Sequence, residues 1–311
     1  MKIAFLFPGQ GSQAVGMGRA LAEAFPESKA VFDAADRALG SPLSNLCFNG
    51  PEDDLKLTEN TQPALVATSI AALRALESRG VRPAGVAGHS LGEYSAMVGA
   101  GVLDFDDAVR TVRLRGRYMQ EAVPVGKGAM AAILMLDAEK VEEACREAAQ
   151  GEIVSPANLN CPGQIVIAGD EGAVDRAIAA CTARGARRAI KLAVSAPFHC
   201  ALMKPAQERL EADLQRLAFK PASIPVYRNV DGEPNTEASA LRDGLTRQVS
   251  LPVQWQRTIE RMFADGFDTF IEVGSGTVVS GLVKKTVKGA LVLNVEDPAS
   301  LDKTMQALPA A

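Results

Sequence analysis

Gly88-His89-Ser90-Leu91-Gly92 is a G-x-S-x-G sequence, the spacing in which a serine occupies a sharp turn between a strand and a helix. So tight a turn holds its serine in strained backbone geometry and leaves no room for a side chain on either flank. The Ser90 hydroxyl is then expected to stand exposed above a sheet. There it meets the N-terminus of a helix whose dipole and free N–H groups favour developing negative charge. A serine hydroxyl needs a base before it attacks an ester or thioester, and imidazole is the usual one. The chain has two histidines. His89 directly precedes the serine, so its side chain is expected to point away from the hydroxyl or to line the pocket wall. His199, in Ser195-Ala-Pro-Phe-His-Cys200, is left as the expected base.

A third element follows the first apolar run: Pro8-Gly9-Gln10-Gly11-Ser12-Gln13. Gly9, Gly11 and Ala14 satisfy the dinucleotide spacing G-x-G-x-x-A, but that motif needs a second strand carrying an acid about 20 residues on. Residues 17–39 are helical in pattern and hold Glu27 and Asp33 within them, so the dinucleotide reading fails. The segment reads either as a plain glycine-rich turn or as an oxyanion loop, with the Gln10 N–H acting beside that of Leu91. Arg115 lies in a basic helical segment and has no priority over Arg113 or Arg117 by sequence alone. Asn160 and Gln248 read equally well as ordinary loop polar residues. Two histidines supply no ligand cluster and no phosphate loop is present, so no metal or resident cofactor is expected.

The elements that must carry these residues follow from periodicity. Residues 2–7 form a short apolar run ended by Pro8-Gly9, the pattern of a central strand buried on both faces. Helices are predicted over 17–25, 28–39 and 62–79, a strand over 84–88 and a small-residue helix over 90–99. From residue 128 the rhythm becomes β-α-β-β-α-β, with strands over 129–136, 153–158, 164–168 and 187–194 and helices over 138–149 and 172–184. That is the ferredoxin-like order. It predicts an α/β fold with a small domain, 127–196, inserted into a larger hydrolase-like domain made of 1–126 and 197–311. Helices over 202–217 and 252–265 and strands over 269–273 and 290–295 complete the large domain.

Composition excludes whole classes of function. The chain has 311 residues, 47% hydrophobic and 23% charged, with 33 basic against 37 acidic side chains and a net charge of −4. Such a balance is that of a globular protein and gives no electrostatic footprint for nucleic acid. No apolar stretch approaches the roughly 18 residues of a membrane span, and the N-terminal run is too short for a secretory signal. The chain is expected to act in the cytoplasm, without membrane contact. Its five cysteines are odd in number, scattered and never in a C-x-x-C pair, so they are expected to be reduced thiols.

Taken in order, Phe7-Pro-Gly-Gln-Gly-Ser-Gln13, Thr61-Gln-Pro-Ala64, Gly88-His-Ser-Leu-Gly-Glu93, Arg115-Gly116, residues 156–169, the His199 segment, Gln248 and Glu272-Val-Gly274 resemble the malonyl-CoA:acyl carrier protein transacylases of dissociated fatty acid synthesis. The resemblance runs through essentially the whole chain. It implies a hydrolase-like α/β domain with a ferredoxin-like small domain. It also implies that Ser90 accepts the acyl group, that His199 is its base, and that the Gln10 and Leu91 amides hold the oxyanion. By the same resemblance Arg115 binds the malonyl carboxylate, and no third-member aspartate exists; a main-chain carbonyl at Gln248 orients the imidazole, with Asn160 nearby. In related polyketide acyltransferases a phenylalanine directly before the histidine accompanies malonyl rather than branched extenders, as Phe198 does here.

The implied reaction is ping-pong transfer from malonyl-CoA to the phosphopantetheine thiol of acyl carrier protein, by a monomer whose CoA thioester is substrate rather than cofactor. The carrier is acidic in this family, and Arg187, Arg188, Lys191, Lys284 and Lys285 are candidates for a basic rim. Three other readings share part of the chemistry: a serine thioesterase or hydrolase, a malonyl transferase serving malonate decarboxylase or a polyketide line, and a catalytically idle carrier-docking module.

Overall fold

The computed structural model describes residues 1–124, 126–192, 194 and 196–309. Along the chain its strands are β1 (Ile3–Phe7), β2 (Gly85–Gly88), β3 (Gly128–Leu134), β4 (Val154–Cys161), β5 (Gln164–Asp170), β6 (Arg188–Lys191), β7 (Val226–Tyr227), β8 (Pro234–Asn235), β9 (Thr269–Val273) and β10 (Leu291–Val295). They make two sheets. The larger has the order β10-β9-β1-β2-β7-β8 and is parallel except at β8. The smaller, β4-β5-β3-β6, is antiparallel throughout. This is the order a β-α-β-β-α-β unit produces.

β1 is apolar at every position because helices cover both faces of the sheet. Phe5 and Phe7 pack into a core shared with the helix Thr58–Ser78, while Ala4 and Leu6 point the other way, into a core with Trp255, Ile259 and Phe270. In the small sheet, Ala129, Ala131 and Ile133 of β3 pack against the helices Ala138–Ala149 and Glu171–Ala183. The opposite face, with Met130, Val166 and Ala168, joins the core of the large domain. The small sheet therefore forms one wall of a cleft. It is tied to the large domain where Leu159 of β4 donates to the Val253 carbonyl at 2.9 Å and Val253 donates to Ala157 at 2.9 Å.

Parallel pairing fixes the site. β1 and β2 are neighbours in register, Phe7 opposite Gly88, so the loops leaving their C-terminal ends, 8–13 and 89–91, lie side by side. Ligands in open α/β sheets bind outside such strand ends. Two glycines make the approach possible. A Cβ on Gly88 would collide with the backbone of Gly92, and one on Gly92 with the Phe7 carbonyl.

Several elements depart from the sequence expectation. The helix predicted over 62–79 begins a turn earlier, at Thr58, with Pro63 inside it. Proline opposes a helix interior, but the helix is buried along nearly its whole length, and packing outweighs the local preference. The strand predicted over 187–194 is observed at Arg188–Lys191 only; Ala193 lies outside the described residues. Strand β7, two residues long, was not expected, because so short a run carries no periodicity.

Replacing Gly92 by alanine is expected to destabilise the chain by about 3 kcal/mol, the upper end of ordinary overpacking, and to abolish acyl transfer. A urea midpoint unchanged in Gly92→Ala would contradict the close approach of the helix to β1.

Candidate active site

Ser90 and His199 meet. The Ser90 Oγ stands 2.7 Å from His199 Nε2, and His199 Nδ1 lies 2.8 Å from the Gln248 main-chain oxygen. A carbonyl only accepts, so Nδ1 carries the proton and Nε2 is left bare to accept the Ser90 hydroxyl proton. Both residues adopt the left-handed backbone region, Ser90 at φ 51° and His199 at φ 59°. Non-glycine residues enter that region at a cost, and here the cost falls on the reacting pair. Ser90 is held in the turn by Asn229, whose Oδ1 accepts from the Ser90 N–H at 2.6 Å while its Nδ2 donates to the Gly88 carbonyl at 2.7 Å.

Arg115 comes from the helix Phe105–Glu121 and is 1% exposed. Its Nη2 donates to Ser90 Oγ at 3.2 Å and to Gln248 Oε1 at 2.9 Å, and its Nη1 to Gln62 Oε1 at 2.8 Å. All three acceptors are neutral. Burial, and next the Arg115 charge, push His199 down from 6.5 to about 3. The imidazole is therefore an unprotonated base at neutral pH. Burial likewise lowers His89.

The pair opens into a cavity of about 880 Å³, which Gln10, Leu91, Arg115, Asn160, Phe198 and His199 help to line. Among the described residues the main-chain amides of Gln10 and Leu91 donate to no protein acceptor, which leaves both available to a developing oxyanion. Phe198 is buried against the cavity wall.

Two expectations need correction. Asn160 does not reach His199; its Oδ1 is 2.8 Å from His89 Nε2, and it fixes the imidazole beside the nucleophile instead. His89 also stands edge-on to Trp255, ring centroids 5.3 Å apart, on the pocket wall. Of the basic rim, Lys191 is engaged by Glu171 and Asp175 at 2.9 and 3.0 Å. Its charge is spent within the small domain. Arg187, Arg188, Lys284 and Lys285 remain exposed.

Sequence reasoning assigned no role to Gln62, Glu93 or Asn229. Gln62 and Glu93 stood inside motifs that carried the resemblance, and their burial was the missing signal. Asn229 follows β7, which no pattern disclosed.

A family model described as an acyl transferase domain matches residues 4–306. The chain belongs to this family. It is 49% identical over 306 residues to the malonyl CoA-acyl carrier protein transacylase of Escherichia coli K12, covering 98% of this chain and 99% of that one. An acyl carrier protein S-malonyltransferase structure from Vibrio cholerae superposes with TM-score 0.96 at 50% identity, covering 98% of this chain and 100% of that chain. A malonyl-transacylase solved in complex with its type II PKS acyl-carrier protein superposes with TM-score 0.96 at 48% identity, covering 99% and 100%. The two-sheet α/β architecture of this acyl transferase is thus shared with its solved relatives. No helix among the described residues is long and apolar enough to cross a membrane.

The histidine environment has a measurable consequence. With His199 lowered to about 3, its imidazole is not expected to protonate as the pH falls through 6.5, and His89, which burial lowers in the same direction, is expected to titrate below its ordinary value. A ¹⁵N titration of the two histidines checks this, and a midpoint for His199 between 6 and 7 would contradict it. The sign carries to stability: a depressed folded-state value means that stability from this source is complete above 6.5 and is lost as the pH falls toward 3.

Proposed function

We propose that this acyl transferase carries the malonyl group of malonyl-CoA to the phosphopantetheine thiol of an acyl carrier protein, through an ester on Ser90. The observation that carries the reading is Arg115, a guanidinium 1% exposed and 3.2 Å from the Ser90 oxygen. Its protein acceptors are neutral oxygens of Gln62, Ser90 and Gln248. Glu93 acts on it only through space, and a buried charge whose hydrogen bonds all go to neutral groups is costly. An acyl chain ending in a carboxylate supplies the missing charge in a bidentate pair, and one ending in a methyl group does not. The names of the E. coli and V. cholerae relatives describe the same transfer, and the carrier complex of the third places its partner in the same class.

In the first half-reaction His199 Nε2 takes the Ser90 Oγ proton as the oxygen attacks the thioester carbonyl. The new C–O bond forms, the carbonyl oxygen becomes an oxyanion, and the amides of Gln10 and Leu91 receive it. The C–S bond then breaks, and CoA leaves as a thiol with the proton from Nε2. In the second, the carrier thiol gives its proton to Nε2 and attacks the malonyl ester, and Ser90 leaves with that proton. The Gln248 carbonyl holds the Nδ1 proton throughout.

Arg115 affects the base as well as binding. Its charge is the second cause of the low His199 value. A malonyl carboxylate seated on Arg115 offsets that charge, so imidazolium forms more readily when the correct substrate is present. Selectivity then resides in kcat as well as KM. Phe198 narrows the space beside the acyl group. The CoA thioester is substrate and the phosphopantetheine belongs to the carrier, so no resident cofactor or metal is assigned a step. The enzyme acts as a cytoplasmic monomer in this reading.

Arg115→Ala is expected to lower the ratio of kcat/KM for malonyl-CoA over acetyl-CoA by about 100-fold, the scale of a buried bidentate ion pair, while Ser90 is still acylated. A ratio that persists in this variant would remove the carboxylate reading. Affinity for an acidic carrier is expected to weaken several-fold between low salt and about 0.5 M salt, because the exposed Arg187, Arg188, Lys284 and Lys285 are screened. Salt-independent affinity would exclude the rim.

A further inference from the structure

Behind the Ser90–His199 pair lies a carboxylate that the transfer does not use. Glu93 is 0% exposed, in the helix Gly92–Gly99 that follows the nucleophile. Its Oε2 accepts from Gln248 Nε2 at 2.6 Å and from the Asn229 main-chain N–H at 3.3 Å. Its Oε1 has no partner among the described residues. A buried, half-satisfied carboxylate costs stability, so a role is sought in what Oε2 holds.

Gln248 has a task at each end. Its Oε1 accepts from Arg115 Nη2 at 2.9 Å, and its Nε2 donates to the Ser90 carbonyl at 2.8 Å as well as to Glu93. A side-chain amide presents an acceptor on one side and donors on the other. Turned over, it would set N–H against the guanidinium and a carbonyl oxygen against both Glu93 and the Ser90 carbonyl. Both contacts would become repulsive. Without Glu93, Arg115, the Ser90 carbonyl and, at 3.4 Å, Asn229 Oδ1 would still oppose that reversal, but the shortest of the contacts that Nε2 makes would be lost.

We propose that Glu93 is a positioning residue for substrate selection: by accepting from Gln248 Nε2 it keeps Gln248 Oε1 turned toward Arg115, and so keeps the guanidinium aimed at the acyl group. The inference rests on the reading of Arg115 as the carboxylate clamp. The hydrogen bond, rather than the charge, does the positioning. Burial pushes Glu93 up to about 7, with Arg228 lowering it and Asp231 raising it; Arg115 and Tyr94 also face it. A protonated carboxyl group or a glutamine amide still offers an oxygen to Gln248.

The test compares kcat/KM for malonyl-CoA and acetyl-CoA in Glu93→Met, Glu93→Gln, Glu93→Asp, Arg115→Ala and the double variant Glu93→Met with Arg115→Ala. Glu93→Met keeps the volume and removes the acceptor, and is expected to lower the malonyl-to-acetyl ratio about tenfold. Glu93→Gln is expected to stay within about threefold of the parent, and Glu93→Asp, which withdraws the acceptor by one methylene, to fall between them. On the Arg115→Ala background, Glu93→Met is expected to shift the ratio by less than about twofold, because the two changes act on one contact. A purely structural glutamate would slow both substrates alike and leave the ratio unchanged. A folded Glu93→Met with the parental ratio overturns the proposal, as does an equal effect on the Arg115→Ala background. Should Glu93→Met fail to fold, Glu93→Asp decides in the same way. If Arg115→Ala alone leaves the ratio intact, the carboxylate reading has failed, and that result is distinct from a failure of Glu93 alone.

Discussion

The hydrogen bond of 2.7 Å between Ser90 Oγ and His199 Nε2 is the contact on which the site depends, and neither residue holds it unaided. Ser90 arrives on a turn that only glycine flanks permit. His199 arrives where the chain returns from the small domain. Both sit in backbone conformations that cost energy, so their meeting must be imposed from outside. Gln248 imposes much of it. Its main-chain oxygen fixes the imidazole tautomer, its side-chain oxygen steadies Arg115, and its amide nitrogen holds the Ser90 carbonyl.

Desolvation sets the chemistry of that pair. His199 and Arg115 are both buried, and the guanidinium charge adds to burial in disfavouring a proton on the imidazole. The resting site thus contains a neutral base and a cation that, among the described residues, no carboxylate hydrogen-bonds. That combination is poorly suited to stability and well suited to receiving an anionic acyl group. Function and folding pull in opposite directions here, as is usual where charge is held ready for a ligand.

Much of this was legible in the sequence, for identifiable reasons. The G-x-S-x-G spacing announces a turn whose geometry leaves little choice of residue, and the scarcity of histidine pointed to His199. The two periodicities, 2 and 3.6, exposed the inserted β-α-β-β-α-β unit. Residues that act through burial were silent: Glu93 and Gln62 look like surface polar groups until helices cover them. Asn229 depends on a two-residue strand, which is too short to leave a pattern. Asn160 was placed in the right neighbourhood but beside the wrong imidazole, because spacing cannot tell which of two histidines a residue of β4 will face.

The most direct measurement is the intact mass of the chain after mixing with malonyl-CoA, with peptide mapping of the adduct, before and after addition of holo carrier protein. One malonyl ester per chain is expected, located on Ser90, which disappears as the carrier thiol gains the same group. An adduct on another residue, no adduct at all, or free malonate released with no gain on the carrier would contradict it.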